Sequence, residues 1–226
     1  MRAVKRLKRS LRKRLENPTD RWRAVPLQRD LVKSFHLLDA LRETSALDGA
    51  IVECGVGAGA SLAHFAYFND RLEMGRKIWA FDSFEGFPEG TDKDSDGFDP
   101  RKMTVYHQFT VDWVRRFIAE RTGQPSLADT VTYVEGFFPA SFERYDNGPV
   151  AVLHLDVDLY QSYVDCLDFF WPLLQPGGWV LFDEYDQFND LEKWPGAKRA
   201  IDEFAAAQGL AVEKHFSGFA YIRKPD

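Results

Sequence analysis

The stretch Val150–Tyr185, VAVLHLDVDLYQSYVDCLDFFWPLLQPGGWVLFDEY, constrains the fold of this chain more than any other. It reads as an apolar strand ending in Asp156, a helix, a Leu-Gln-Pro-Gly-Gly turn and a second apolar strand ending in Asp183-Glu184. Neighbouring parallel strands place their carboxyl ends side by side, and open α/β sheets build their sites at that edge. Three carboxylates then converge, with no cation beside them in the sequence. Like charges that close do not all stay ionised unless something positive sits between them, and a divalent metal is the expected candidate.

The rest of the chain supplies the sheet such a pair needs. Leu27, Leu31, Phe35, Leu38 and Leu41 make an apolar helical stripe that ends at Thr44 and reads as packing, one wall of a substrate pocket. Ala50–Cys54 is a short buried strand, and Gly55-Val-Gly57-Ala-Gly59-Ala60 is a glycine-rich turn into a helix over Ser61–Phe68. Gly55 and Gly57 let the backbone approach a nucleotide, while Ser61 offers a hydroxyl and an amide. Glu53 is a carboxylate in a buried strand and needs a partner, which a ligand ammonium would supply. Lys77–Asp82 is the second strand. An acid at its end commonly accepts from both hydroxyls of an adenosine ribose, so Asp82, followed by Ser83, is the ribose candidate.

Residues 89–101 are acidic and turn-rich and read as a mobile lid. They are not an EF-hand, because the twelfth position is Met103. A helix over Val111–Arg121 and a third strand over Asp129–Val134 come next. Gly136 and Phe137, which leave that strand, are candidates to flank an adenine ring, the alternative being that Phe137 is a core aromatic. After the central stretch come a helix over Trp194–Ala207 and a hairpin of Leu210–Phe216 with Phe219–Ile222. Five β-α units and a hairpin account for one domain over residues 26–226, with no second lobe.

Residues 1–25 differ in kind. Their first 14 positions hold eight of the 29 basic residues and none of the 35 acidic ones, so the remainder is strongly acidic. That balance excludes a nucleic-acid partner across the body and suits a cationic cofactor. The segment reads as a basic helical arm packing on its own domain or on a sister subunit, and a homo-oligomer is expected. No apolar run approaches a membrane span, and the two cysteines, Cys54 and Cys166, form no metal or disulfide pattern. With no signal peptide evident, the expected setting is cytoplasmic and no membrane partner is expected.

The motifs IVECGVGAGAS, IWAFDSFEGFP, HLDVDLYQSYVDCL, LQPGGWVLFDEY and WPGAKRAIDEF together resemble a class I S-adenosylmethionine-dependent methyltransferase of the macrocin O-methyltransferase family. The resemblance covers roughly Gly49–Leu210. It implies an α/β Rossmann-like fold whose seven-stranded, mostly parallel sheet ends in an antiparallel hairpin. It also implies S-adenosyl-L-methionine and Mg2+ as cofactors, with a sugar hydroxyl on a small-molecule natural product as acceptor. By motif, Glu53, Gly55 and Ser61 would contact the cofactor, Asp82 its ribose, and Asp156, Asp183 and Glu184 the metal. The chain departs from the family where two aspartates often stand, having Asp183-Glu184 instead. Methyl transfer to oxygen needs an aligned, activated hydroxyl, and a base helps. Asp158 is the first candidate for that base, with Asp156 beside it and His107 the alternative, whereas His154 reads as a core histidine. Rival readings are a catechol-type acceptor, an NAD-dependent oxidoreductase and a non-catalytic protein on the same fold.

Overall fold

The computed structural model describes residues 28–94, 99–187 and 190–225. By its contacts the chain divides between Val32 and Lys33, and the residues from Lys33 onward hold the whole sheet and every candidate site residue. The basic arm expected over residues 1–25 lies outside the described residues.

The elements in order are α1 (Gln28–Glu43), β1 (Ala50–Cys54), α2 (Ala60–Arg71), β2 (Ile78–Asp82), α3 (Val111–Thr122) and β3 (Val131–Glu135). They continue with β4 (Val150–Leu155), α4 (Tyr160–Phe170), β5 (Leu174–Phe182), α5 (Asp190–Lys193), α6 (Pro195–Gln208), β6 (Glu213–Lys214) and β7 (Ala220–Arg223). The strands form one seven-stranded sheet in the order β3-β2-β1-β4-β5-β7-β6. The first five are parallel, while β7 runs antiparallel to both β5 and β6. Strand order reverses between β1 and β4, which makes their carboxyl ends the switch point where such sheets bind ligands.

The two central strands are buried along their whole length, as continuous apolar runs in a parallel sheet must be. One face is covered by α4 and α6 through Tyr163, Phe170, Ala197 and Ile201. The other is covered by α2, α3 and the body of α1 through Leu62, Phe65, Val114, Ile118, Leu37 and Leu41. Among the described residues no helix is long and apolar enough to cross a membrane.

Three expectations change. The Leu-Gln-Pro-Gly-Gly segment is part of β5 rather than a free turn. Pairing with β4 jumps from Val150–Leu174 to Val152–Trp179, so the extra residues bulge while the strand continues. Gly177 takes φ +76° in that bulge and its N–H donates to Lys224 O at 2.8 Å. The terminal hairpin is shorter than read, since only Glu213–Lys214 pairs along the outer edge. The stripe of α1 is rotated as well. Leu31 and Phe35 are exposed, and the buried positions are His36, Leu37, Ala40, Leu41 and Thr44. That spacing is equally helical, and it turns a polar residue, Lys33, along the same side at one turn before His36.

Candidate active site

The glycine turn is shaped by the strands it joins. Gly55 leaves β1 at φ +82° and donates to Phe81 O at 2.8 Å. Asp82, at the end of β2, fastens the turn: its Oδ2 accepts from the N–H groups of Val56 at 2.7 Å and Gly57 at 2.9 Å. Its Oδ1 accepts from Phe84 N–H at 2.8 Å. A carboxylate has about four lone-pair sites, so Asp82 retains capacity for a ribose hydroxyl. Gly136 N–H donates to Asp82 O at 2.9 Å, which brings Gly136 and the exposed Phe137 to the same end of the sheet. Ser83 Oγ donates to Gly86 O at 2.6 Å, and Ser61 is buried in the first turn of α2. His107 stands exposed on the short turn Thr104–Gln108 with its ring against Gly86, which groups it with Ser83.

These contacts give Asp82 a structural duty besides any ligand. Asp82→Ala is expected to destabilise the fold by about 2–3 kcal/mol, because three amides lose a charged acceptor. A urea midpoint lowered at unchanged slope would register it. A wild-type midpoint would show that the turn stands without its carboxylate.

Glu53 and His154 face each other across β1 and β4, with His154 Nδ1 3.0 Å from Glu53 Oε1 and both side chains 1% exposed. Burial pushes the Glu53 carboxyl above its usual range, and His154 opposes that. Glu53 Oε2 is buried without a hydrogen-bond partner among the described residues. An orphaned acceptor beside the glycine turn fits a ligand ammonium. His154 is therefore buried, as read, but it is also a member of the site.

Alternation along a strand puts His154 and Asp156 on one face of the sheet, and Asp183 stands at the end of β5 next door with its N–H on Leu155 O at 2.9 Å. One donor atom from each of His154, Asp156 and Asp183 lies within 4.8 Å of the others. The convergence expected of Asp156 and Asp183 is thus observed. The sequence did not reveal the cation already there. Lys33, from α1, donates to Asp156 Oδ2 at 3.1 Å and forms an ion pair with Asp183 Oδ1. Two oxygens and an imidazole suit a divalent ion, and the cluster's accommodation of an ammonium shows it shaped for positive charge.

Glu184 stands outside that trio. Its Oε2 accepts from Tyr163 O–H at 2.8 Å and more weakly from Asp158 N–H at 3.4 Å. Burial, then repulsion from Asp158, Asp156 and Asp183, drives its pKa well above the carboxylate range. Burial, then Glu184 beside it, pushes the Tyr163 hydroxyl well above its usual pKa. Asp158 is half-buried at φ +60°, a strained backbone for a residue with a side chain, directly beyond Asp156. It does not cap α4. That role belongs to Asp94, whose Oδ1 accepts from Tyr160 N–H at 2.8 Å and whose Oδ2 accepts from Thr91 N–H at 2.7 Å. Lys93 adds a bond to Tyr160 Oη at 2.6 Å, so the described first half of the acidic loop is fastened over α4. Lys33, Tyr163 and Asp94 are the site residues missed by sequence reading. Only Asp94, an Asp in a turn-rich run, carried any signal.

The macrocin O-methyltransferase (TylF) family profile matches residues 32–215. The 8-demethyl-8-(2,3-dimethoxy-α-L-rhamnosyl)-tetracenomycin-C 4′-O-methyltransferase of Streptomyces olivaceus is 36% identical over 172 residues, covering 73% of this chain and 64% of that protein. The mycinamicin III 3″-O-methyltransferase of Micromonospora griseorubida is 29% identical over 185 residues, covering 77% and 66%. The chain spans 61 to 66% of the length of the curated relatives it matches. Among solved structures, the O-methyltransferase NovP superposes with a TM-score of 0.70 at 25% identity over 86% of this chain and 80% of that one. The calicheamicin methyltransferase CalS11 gives 0.73 at 22% identity over 97% and 91%, a likeness of fold.

Proposed function

The chain belongs to the macrocin O-methyltransferase family, and on that footing we propose that it transfers a methyl group from S-adenosyl-L-methionine to a sugar hydroxyl of a small-molecule natural product, with a divalent cation at Asp156 and Asp183. The observation that carries the reading is the meeting of Asp156, Asp183 and His154 at the carboxyl ends of β4 and β5, next to the glycine turn of β1. Relatives named for methylating a rhamnosylated tetracenomycin and a mycinamicin support a sugar acceptor.

Asp156 and Asp183 would hold a divalent ion, which when bound would supply Lewis-acid polarisation of an acceptor hydroxyl. The chain's own residues do the remainder. The glycine turn is fixed by Asp82 at the switch point, and Asp82 keeps one acceptor site for a ribose hydroxyl. Glu53 offers its unpaired oxygen to an ammonium, and His154 holds that carboxylate in place. Phe137 and Gly136 flank the position of an adenine at the end of β3. Asp158 is the base, projecting from its strained backbone beside Asp156, while Asp94 does the capping of α4. Glu184, braced by Tyr163, supports the Asp158 backbone from behind.

A thermal-shift panel of S-adenosylhomocysteine, NAD and MgCl2 tests this. At a hundred times its dissociation constant a ligand adds about 2.7 kcal/mol, which for a chain of this size raises the melting temperature by roughly 5–10 °C. S-adenosylhomocysteine is expected to produce that shift and NAD none. A shift with NAD alone would replace the methyltransferase reading with that of an oxidoreductase.

A further inference from the structure

The Lys33 ammonium lies where a cation shared by Asp156 and Asp183 would lie. Its side chain is 12% exposed, against 30% for Asp156 and 5% for Asp183, so the three charges meet largely out of water. The oxygens it touches, Asp156 Oδ2 and Asp183 Oδ1, come from the ends of two different strands, and only something between those strands reaches both. An ammonium and a divalent ion do not share that space, because like charges at contact distance in a poorly solvated site repel strongly. We infer that Lys33 is the resident counter-ion of the Asp156–Asp183 pair and that a divalent cation binds there only by displacing its ammonium. The inference rests on the metal reading proposed above and adds to it a competitor built into the chain.

Without metal, Lys33 brings positive charge against the half-buried Asp156 and the buried Asp183, which offsets the cost of holding two carboxylates together in low dielectric. With metal, the exchange of one cation for another weakens apparent affinity, since the ion gains the carboxylates only as the ammonium loses them. Lys33 comes from α1, the element that precedes the sheet, so the exchange couples the cation site to the position of that helix's side chain.

The test compares the full chain with Lys33→Met and Lys33→Arg at one pH. Isothermal titration of MgCl2 into each protein without cofactor reads the metal affinity directly. Lys33→Met is expected to tighten binding by about tenfold or more, because the competing ion pairs are gone. Lys33→Arg keeps the positive charge and is expected to stay within about threefold of wild type. Melting temperature supplies a second readout: in chelator Lys33→Met melts lower than wild type, and MgCl2 raises it by more. Lys33→Gln, which retains a donor for one carboxylate, takes the place of Lys33→Met if that variant does not fold. Equal affinity in wild type and Lys33→Met overturns the inference and leaves the metal reading standing. Tightening in Lys33→Arg as large as in Lys33→Met also overturns it, since packing and not charge would then be responsible. No magnesium or manganese binding by any of the proteins removes the metal reading itself, and the inference with it.

Discussion

Asp183→Asn is expected to lower kcat about 10²- to 10³-fold while leaving the affinity for S-adenosylhomocysteine within about threefold. The substitution is isosteric and removes one of the two anions proposed to hold the divalent cation. An ionic ligand of that kind contributes several kcal/mol of charge stabilisation, and about 1.4 kcal/mol corresponds to each factor of ten in rate. The backbone should hold, because Asp183 N–H donates to Leu155 O whatever the side chain carries. The proposed cofactor contacts come from the ends of β1, β2 and β3, so binding and turnover separate. Lys33 keeps Asp156 as its partner in the variant, so the loss of one buried ion pair brings only a modest change in melting temperature. Single-turnover kinetics with calorimetry on the same preparation reads both quantities. Wild-type kcat in the variant, or an undiminished wild-type rate in excess chelator, would sink the role given to Asp183. A parallel fall in S-adenosylhomocysteine affinity would move Asp183 into cofactor binding.

Legible and hidden residues differ for physical reasons. Asp156 and Asp183 were legible because strand ends are local features, and the parallel-sheet rule then places neighbouring ends together. The glycine turn with Asp82 was legible for the same reason, although its three amide bonds were not. Lys33 was invisible since its partner Asp156 lies 123 residues away, and no local pattern distinguishes it from a solvated lysine. The stripe on α1 misled because Leu31 and Phe35 are more apolar than His36, Ala40 and Thr44, which are buried in their place. The helix gives one buried position to His36, both of whose ring nitrogens are buried without a hydrogen-bond partner among the described residues. Burial and the nearby His215, His154 and Lys33 lower the pKa of His36 to about 3, so it stays neutral there. Hydrophobicity alone does not find such a face. Glu184 was expected by motif as a metal ligand, yet its side chain accepts from Tyr163 and is not among the donor atoms that converge with Asp156 and Asp183.

Gly55→Ala is expected to be the most damaging single-atom-scale change in the fold, costing about 3 kcal/mol or more and removing cofactor binding with it. At φ +82° any side chain is strained, which by itself costs about 1–2 kcal/mol. The larger part is steric. A Cβ at Gly55 would lie 1.9 Å from Asp156 O and 2.6 Å from Asp156 C, and both are backbone atoms that no rotamer change can move. The chain there is held on both sides, by Gly55 N–H on Phe81 O at 2.8 Å and Asp156 N–H on Cys54 O at 3.0 Å. Relief therefore requires β1 and β4 to part at the switch point, which carries Asp156 away from Asp183. Gly75→Ala is the control, because Gly75 has φ +61° but nothing within 4 Å of its built Cβ. Urea unfolding should show the control losing only the backbone strain of about 1–2 kcal/mol. Equal losses at the two positions would mean that the strand ends separate freely, and the close approach of Gly55 to Asp156 would then not be what sets the site.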